Sequence, residues 1–147
     1  MRRLACCLLL ISLSPATAVE SKPARVNLVS PRLTRRLPPV DKVELEKFKT
    51  REMWVESVEA TRAVEGDEAR RIARLWRTQN YRLPAAICHY PAYGIKFYSK
   101  GELILHASLC WQCDNIIFLS PKGKEKQGFD GRGVKGKELL EVFLKSF

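Results

Sequence analysis

The chain has 147 residues, with 26 Lys and Arg against 16 Asp and Glu, a formal charge of +10 at pH 7. That length admits one domain with a modest core. The charge favours polyanions as partners, and no apolar run is long enough to span a bilayer.

The N-terminus, MRRLACCLLLISLSPATAVE, has the form of a secretory leader over residues 1–18. Arg2 and Arg3 precede an apolar run from Leu4 to Leu13, and Ala16-Thr17-Ala18 has the small-x-small form of a cleavage site. The alternative is a buried N-terminal helix. Cys6 and Cys7 open the apolar run instead of following it, which argues against lipid attachment. The expected mature chain starts near Val19, is exported to the periplasm or outside the cell, and keeps about 129 residues. Without Arg2 and Arg3 its charge falls by two from +10, to about +8. After export nucleic acid is a poor partner. Anionic envelope polymers or lipid head groups are better ones, with simple solubility as the alternative. No transmembrane segment is expected after leader removal.

Residues 19–40 hold Pro23, Pro31, Pro38 and Pro39, and Lys22, Arg25, Arg32, Arg35 and Arg36 against Glu20 alone. This composition predicts a basic, disordered tether, with a single domain over 41–147. Arg32, Arg35 and Arg36, together with Lys122, Lys124 and Lys126 of a later loop, are the anion-binding candidates.

Within the domain, VELEKF (43–48) and WVESVEA (54–60) alternate polar and apolar residues and predict a hairpin around Thr50–Glu52. A helical reading of this region stays open. GDEARRIARLWRTQ (66–79) places Ala69, Ile72, Ala73 and Trp76 at helical spacing, with acids at its start. Its arginines Arg70, Arg71, Arg74 and Arg77 suit either a polyanion or a solvated face with acid–base pairing. Three strands follow: YGIKFY (93–98), LILHASL (103–109) after an SKGE turn, and NIIFL (115–119). Residues 121–137, rich in glycine and lysine, read as a long surface loop, and KELLEVFLKSF closes the chain as an amphipathic helix. The order ββ-α-βββ-α implies an α+β domain, a mostly antiparallel sheet with helices packed on one face.

The motif CHxPxYG at Cys88–Gly94 and the motif CWxCxN at Cys110–Asn115 follow the ARLWR helix. Over roughly residues 65–120 the chain resembles small exported bacterial proteins that carry both motifs. The resemblance implies export and the domain limits, and no activity.

Three chemistries suit Cys88, Cys110 and Cys113. A zinc site needs four Cys or His ligands; His89 is the candidate fourth. His106 shares a strand face with Cys110, but four residues of strand separate their Cα atoms by about 13 Å. A reactive CxxC commonly sits at a helix N-terminus, whereas Cys113 leads into a strand, so redox chemistry would need Cys110 or Cys113 as the attacking thiol and Cys88 as the resolving one. A disulfide from Cys88 to Cys113, or to Cys110, would brace the sheet, and one thiol would be left over. No catalytic residue is assigned, and no cofactor beyond the zinc alternative. GxSxG, HExxH, CxxCH and phosphate-binding glycine loops are absent from the sequence. Glu44, Glu46, Glu56 and Glu59 read as outward charges on alternating strands. Two antiparallel strands of similar length return Cys110 to the level of Cys88, opposite the Ser99–Glu102 turn. The three sulfurs are therefore expected together, with His106 outside the group.

Overall fold

The structure is a computed structural model that describes residues 36–49, 53, 57–82 and 84–147. The expected leader, most of the tether, Arg32 and Arg35 lie outside the described residues. So do 54–56, the start of the second expected strand.

Seven strands and two helices follow one another: β1 (Lys42–Phe48), β2 (Val58–Glu65), α1 (Gly66–Arg77), β3 (Tyr81–Arg82), β4 (Tyr93–Ser99), β5 (Glu102–Cys110), β6 (Asn115–Ser120), β7 (Gly123–Phe129) and α2 (Val134–Leu144). All strands join one sheet, in the order β2-β1-β4-β5-β6-β7-β3, and each pair is antiparallel. The sheet and two helices make an α+β domain. The expected order is lengthened by β3 and β7. Residues 121–137 are therefore not one loop: Gly123–Phe129 pairs along β6 from Asn115↔Gly128 to Ser120↔Gly123. Gly123, at φ +128°, follows the turn, and the Ser120 hydroxyl accepts the Lys122 N–H at 3.2 Å.

The register separates two faces. One carries the rows Val43–Phe97–Leu105, Leu45–Ile95–Ala107–Phe118 and Tyr93–Leu109–Ile116. Apart from the half-buried Tyr93, these side chains are at most a few per cent exposed. Trp76 of α1 meets Phe97 and Phe118 at 5.4 and 6.2 Å between ring centres, and Phe143 of α2 stacks on Tyr93 at 4.8 Å. The helix spacing read from the sequence puts Ala69, Ile72, Ala73 and Trp76 in this core, and all four are fully buried. Leu37 and Val40, from the expected tether, are buried in it too. Arg77 donates to the carbonyls of Leu37 and Pro38 and fixes them along α1.

The opposite face carries Glu44–Lys96–His106, Glu46–Gly94–Ser108–Ile117 and Cys110–Asn115–Gly128. It is largely polar and parts of it are fully buried. The candidate chemistry lies there.

Candidate functional site

β5 ends at Cys110, residues 111–114 turn, and β6 starts at Asn115. Asp114 adopts φ +48° to close the turn; an Asp tolerates this left-handed backbone better than most residues. The turn brings Cys113 back over the sheet to Cys88, and the two form a disulfide with Cα atoms 6.1 Å apart. That separation lies in the ordinary range for a cystine. Cys110 is the leftover thiol and is fully buried. Its sulfur accepts N–H groups from Cys113 at 3.2 Å and Tyr90 at 3.4 Å. The three sulfurs are thus gathered at one end of β5, and the cross-link runs to Cys113 instead of Cys110. His106 stands four residues up the strand and bonds elsewhere.

His89, beside the cystine, is fully buried. The Asn115 amide donates to the carbonyls of Cys88 at 2.6 Å and Ala86 at 3.2 Å, which turns its oxygen to the ring. His89 Nδ1 therefore donates to that oxygen at 2.6 Å, and in the neutral ring Nε2 accepts the Ser108 hydroxyl at 2.9 Å. The order hydroxyl, imidazole, side-chain oxygen is that of a nucleophilic relay. All three residues are shut off from solvent, so no substrate carbonyl reaches Ser108. The arrangement pins residues 86–90 to β5 and β6. As a cystine, Cys88 and Cys113 offer no thiolate, and both His89 nitrogens are engaged. Among the described residues no group of three or more His, Cys, Asp or Glu is placed to hold a metal ion.

Glu46 corrects the expectation of outward carboxylates. It is 3 % exposed, with Lys96 at 2.5 Å and His106 at 3.3 Å. The gap that receives it is Gly94, its cross-strand partner, where an added Cβ would come within 2.5 Å of Glu46 Oε2. Burial pushes the carboxyl up, but the bonds and charges of His106 and Lys96 together outweigh it and hold Glu46 below the usual carboxylate range. Glu44 follows the same balance, with burial opposed by Lys42 and Tyr98. Burial, then the neighbouring Glu44 and Glu46, raise the Tyr98 phenol well above its ordinary value.

The anion-binding candidates stand apart. Arg36 opens the segment held on α1, while Lys122 and Lys124 are exposed on the β6–β7 hairpin. Lys126 is committed: its ammonium donates to the carbonyls of Ala86 and Ile87 at 2.9 and 3.0 Å. Of the α1 arginines, Arg70 pairs with Asp67 at 2.6 Å and Arg77 serves the backbone. Arg71 and Arg74 are exposed and have no carboxylate at ion-pair distance among the described residues. The pairing expected of that helix face thus reaches only part of it. Ser108 and Asn115 were not singled out as functional in the sequence; Asn115 closes the CWxCxN motif, and its spacing from Cys113 was the available signal.

Comparison with protein-family models, with curated proteins and with solved structures yields no match.

Proposed function

We propose that this is an exported, non-enzymatic binding or structural domain whose basic surface engages anionic envelope material, polymer or lipid head group, while the Cys88–Cys113 cystine braces the sheet. The observation that carries the reading is the distribution of charge. The groups with catalytic potential, Ser108, His89 and Asn115, are buried and satisfied by one another. Arg71 and Arg74, by contrast, are exposed cations with no carboxylate at ion-pair distance among the described residues. Support also comes from the cystine, which suits an oxidising compartment, and from the leader pattern. Among the described residues no helix is long and apolar enough to cross a membrane. The ring contacts of Trp76 and Phe143 support an arrangement in which both helices cover one sheet face and leave the polar row to the other.

The test is association of the chain, tether intact, with anionic vesicles and with anionic wall polymer. Binding to either that weakens steeply between low and physiological salt is the expected result. No detectable binding at low salt to either removes the anion-binding role.

One observation favours thiol–disulfide chemistry as a second reading: the free Cys110 accepts the backbone N–H of Cys113, one half of the cystine, and that of Tyr90, two residues beyond the other half. Its test is the alkylation rate of Cys110 in the native protein. A rate above that of free cysteine supports the redox reading, and a rate far below it leaves the thiol as core.

A further inference from the structure

An open groove of about 570 Å³ runs between α1 and α2. Its carboxylates are already taken. Glu68 pairs with Arg62 at 3.5 Å, Glu138 with Lys135 at 2.8 Å, and Glu141 with Lys145 at 3.3 Å. Two lining cations remain, Arg71 and Arg74. They stand three residues apart on one helix, where side chains emerge as neighbours roughly 5–6 Å apart at Cβ. Leu75 and Val142 line the same groove.

We propose that this groove seats the phosphate of an anionic lipid head group, held between Arg71 and Arg74, with the adjoining apolar part of the lipid against Leu75 and Val142. The proposal rests on the anion-binding reading above and names its site and ligand. Guanidinium forks match phosphate oxygens two by two, so a pair on successive turns recognises one phosphate better than a diffuse basic surface does. The chain's own N-terminal segment cannot be the occupant on charge grounds: residues 19–35 carry Lys22, Arg25, Arg32 and Arg35 against the single acid Glu20. It repels the site instead of filling it. That segment also joins the described chain beside the groove. Arg77 ties Leu37 and Pro38 to α1, and Arg74 lines both the groove and a smaller cleft of about 170 Å³ against Pro39 and Val40. A negatively charged surface facing α1 therefore meets Arg71 and Arg74 together. A soluble polyphosphate would use the charges and leave the apolar lining idle, whereas an amphiphile uses both.

The experiment compares two double variants of the full chain that remove the same charge, Arg71→Ala/Arg74→Ala and Lys122→Ala/Lys124→Ala, on vesicles of phosphatidylglycerol in phosphatidylcholine at low salt. All four side chains are exposed, and unchanged thermal melts verify folding. The arginine variant should lose roughly tenfold or more in affinity and the lysine variant at most about threefold. Equal losses mean that only net charge matters; they overturn the groove and leave the general reading standing. Absence of vesicle binding by the wild-type chain overturns the lipid assignment, and if wall polymer is also not bound the general reading falls with it. Glycerol phosphate in solution separates the two sources of phosphate. Weak binding beside tight vesicle binding supports the lipid, and equal affinity for the two overturns it.

Discussion

The three cysteines divide into a bonded pair, Cys88 and Cys113, and a buried thiol, Cys110, and the difference comes from backbone placement. Cys113 lies within the 111–114 turn and bonds Cys88, while Cys110 ends a strand and is buried. The Cys88–Cys113 cross-link closes a loop spanning 25 positions, which on the chain-entropy account stabilises the fold by about 3–4 kcal/mol. A Cys88→Ser/Cys113→Ser variant should unfold in urea with a stability lower by about that amount, and Cys110→Ser should leave the intact-mass signature of one disulfide unchanged. Wild-type melts that coincide with and without reductant would show that the bond carries no stability. Glu46 contributes in a pH-dependent way. Its folded-state pKa is lowered from the ordinary 4.5, so its contribution is fully present above that value and fades as pH falls through the folded pKa. Glu46→Gln should thus flatten the stability–pH curve in the acid range below about 4.5 and lower stability at neutral pH, because Lys96 and His106 lose their charged partner. An acid limb equally steep in the variant would place the dependence elsewhere.

Among the elements, α2 shows how misleading glycine can be in a sequence. Gly136 lies in the first turns of the helix, where replacement by Ala ordinarily stabilises by about 1 kcal/mol. Here a Cβ would strike the backbone of Asp130 and Gly131, and the Gly136 carbonyl accepts the Trp111 indole at 3.1 Å. Gly136→Ala should therefore destabilise by about 1–3 kcal/mol, read as a lower urea midpoint. A raised midpoint would mean that residues 130–136 are loosely seated. Gly131, equally, would bring a Cβ within 2.8 Å of Asp114. The expected flexible loop is a strand followed by tightly packed glycines. α1 was legible because its apolar spacing is complete, and β4, β5 and β6 were legible to within a residue or so because they are rich in Ile, Leu and Phe. β7 was not: GKEKQGF has almost no β-forming residue, and its first three residues are exposed. Its pairing comes from the β6 hairpin, not from its own composition. β2 shares only Val58–Ala60 with the expected alternation, runs on to Glu65 and is mostly exposed, so no buried face marks its limits. The meeting of Cys88 with the CxxC turn followed from two antiparallel strands of similar length. The choice of Cys113 over Cys110, and the bonds from His89 to Ser108 and Asn115, depend on which face each turn residue takes, and local sequence does not specify that.

At the level of the whole molecule, the two sheet faces are closed by different means. One carries the ring contacts of Trp76 with Phe97 and Phe118 and of Phe143 with Tyr93. The other is crossed at one end by residues 86–90, which the cystine, Asn115 and Lys126 hold down. The chain before β1 belongs to the first of these layers. Leu37 is 6 % and Val40 5 % exposed, both within the main core cluster, and Leu37 and Pro38 supply the two acceptors of Arg77. The boundary of the folded unit therefore falls near Leu37, and proteins shortened to either side of it should differ sharply. A chain starting at Arg36 should melt at the temperature of the longer one, since it keeps every contact described. A chain starting at Asp41 loses two buried side chains, each contributing about 1.5–3 kcal/mol, and leaves a half-buried guanidinium without its carbonyls. Its melting temperature should fall by more than about 10 °C, because each kcal/mol moves a domain of this size by several degrees. If both truncations melt together with the longer chain, Leu37 and Val40 add nothing to the core and the folded unit begins at β1.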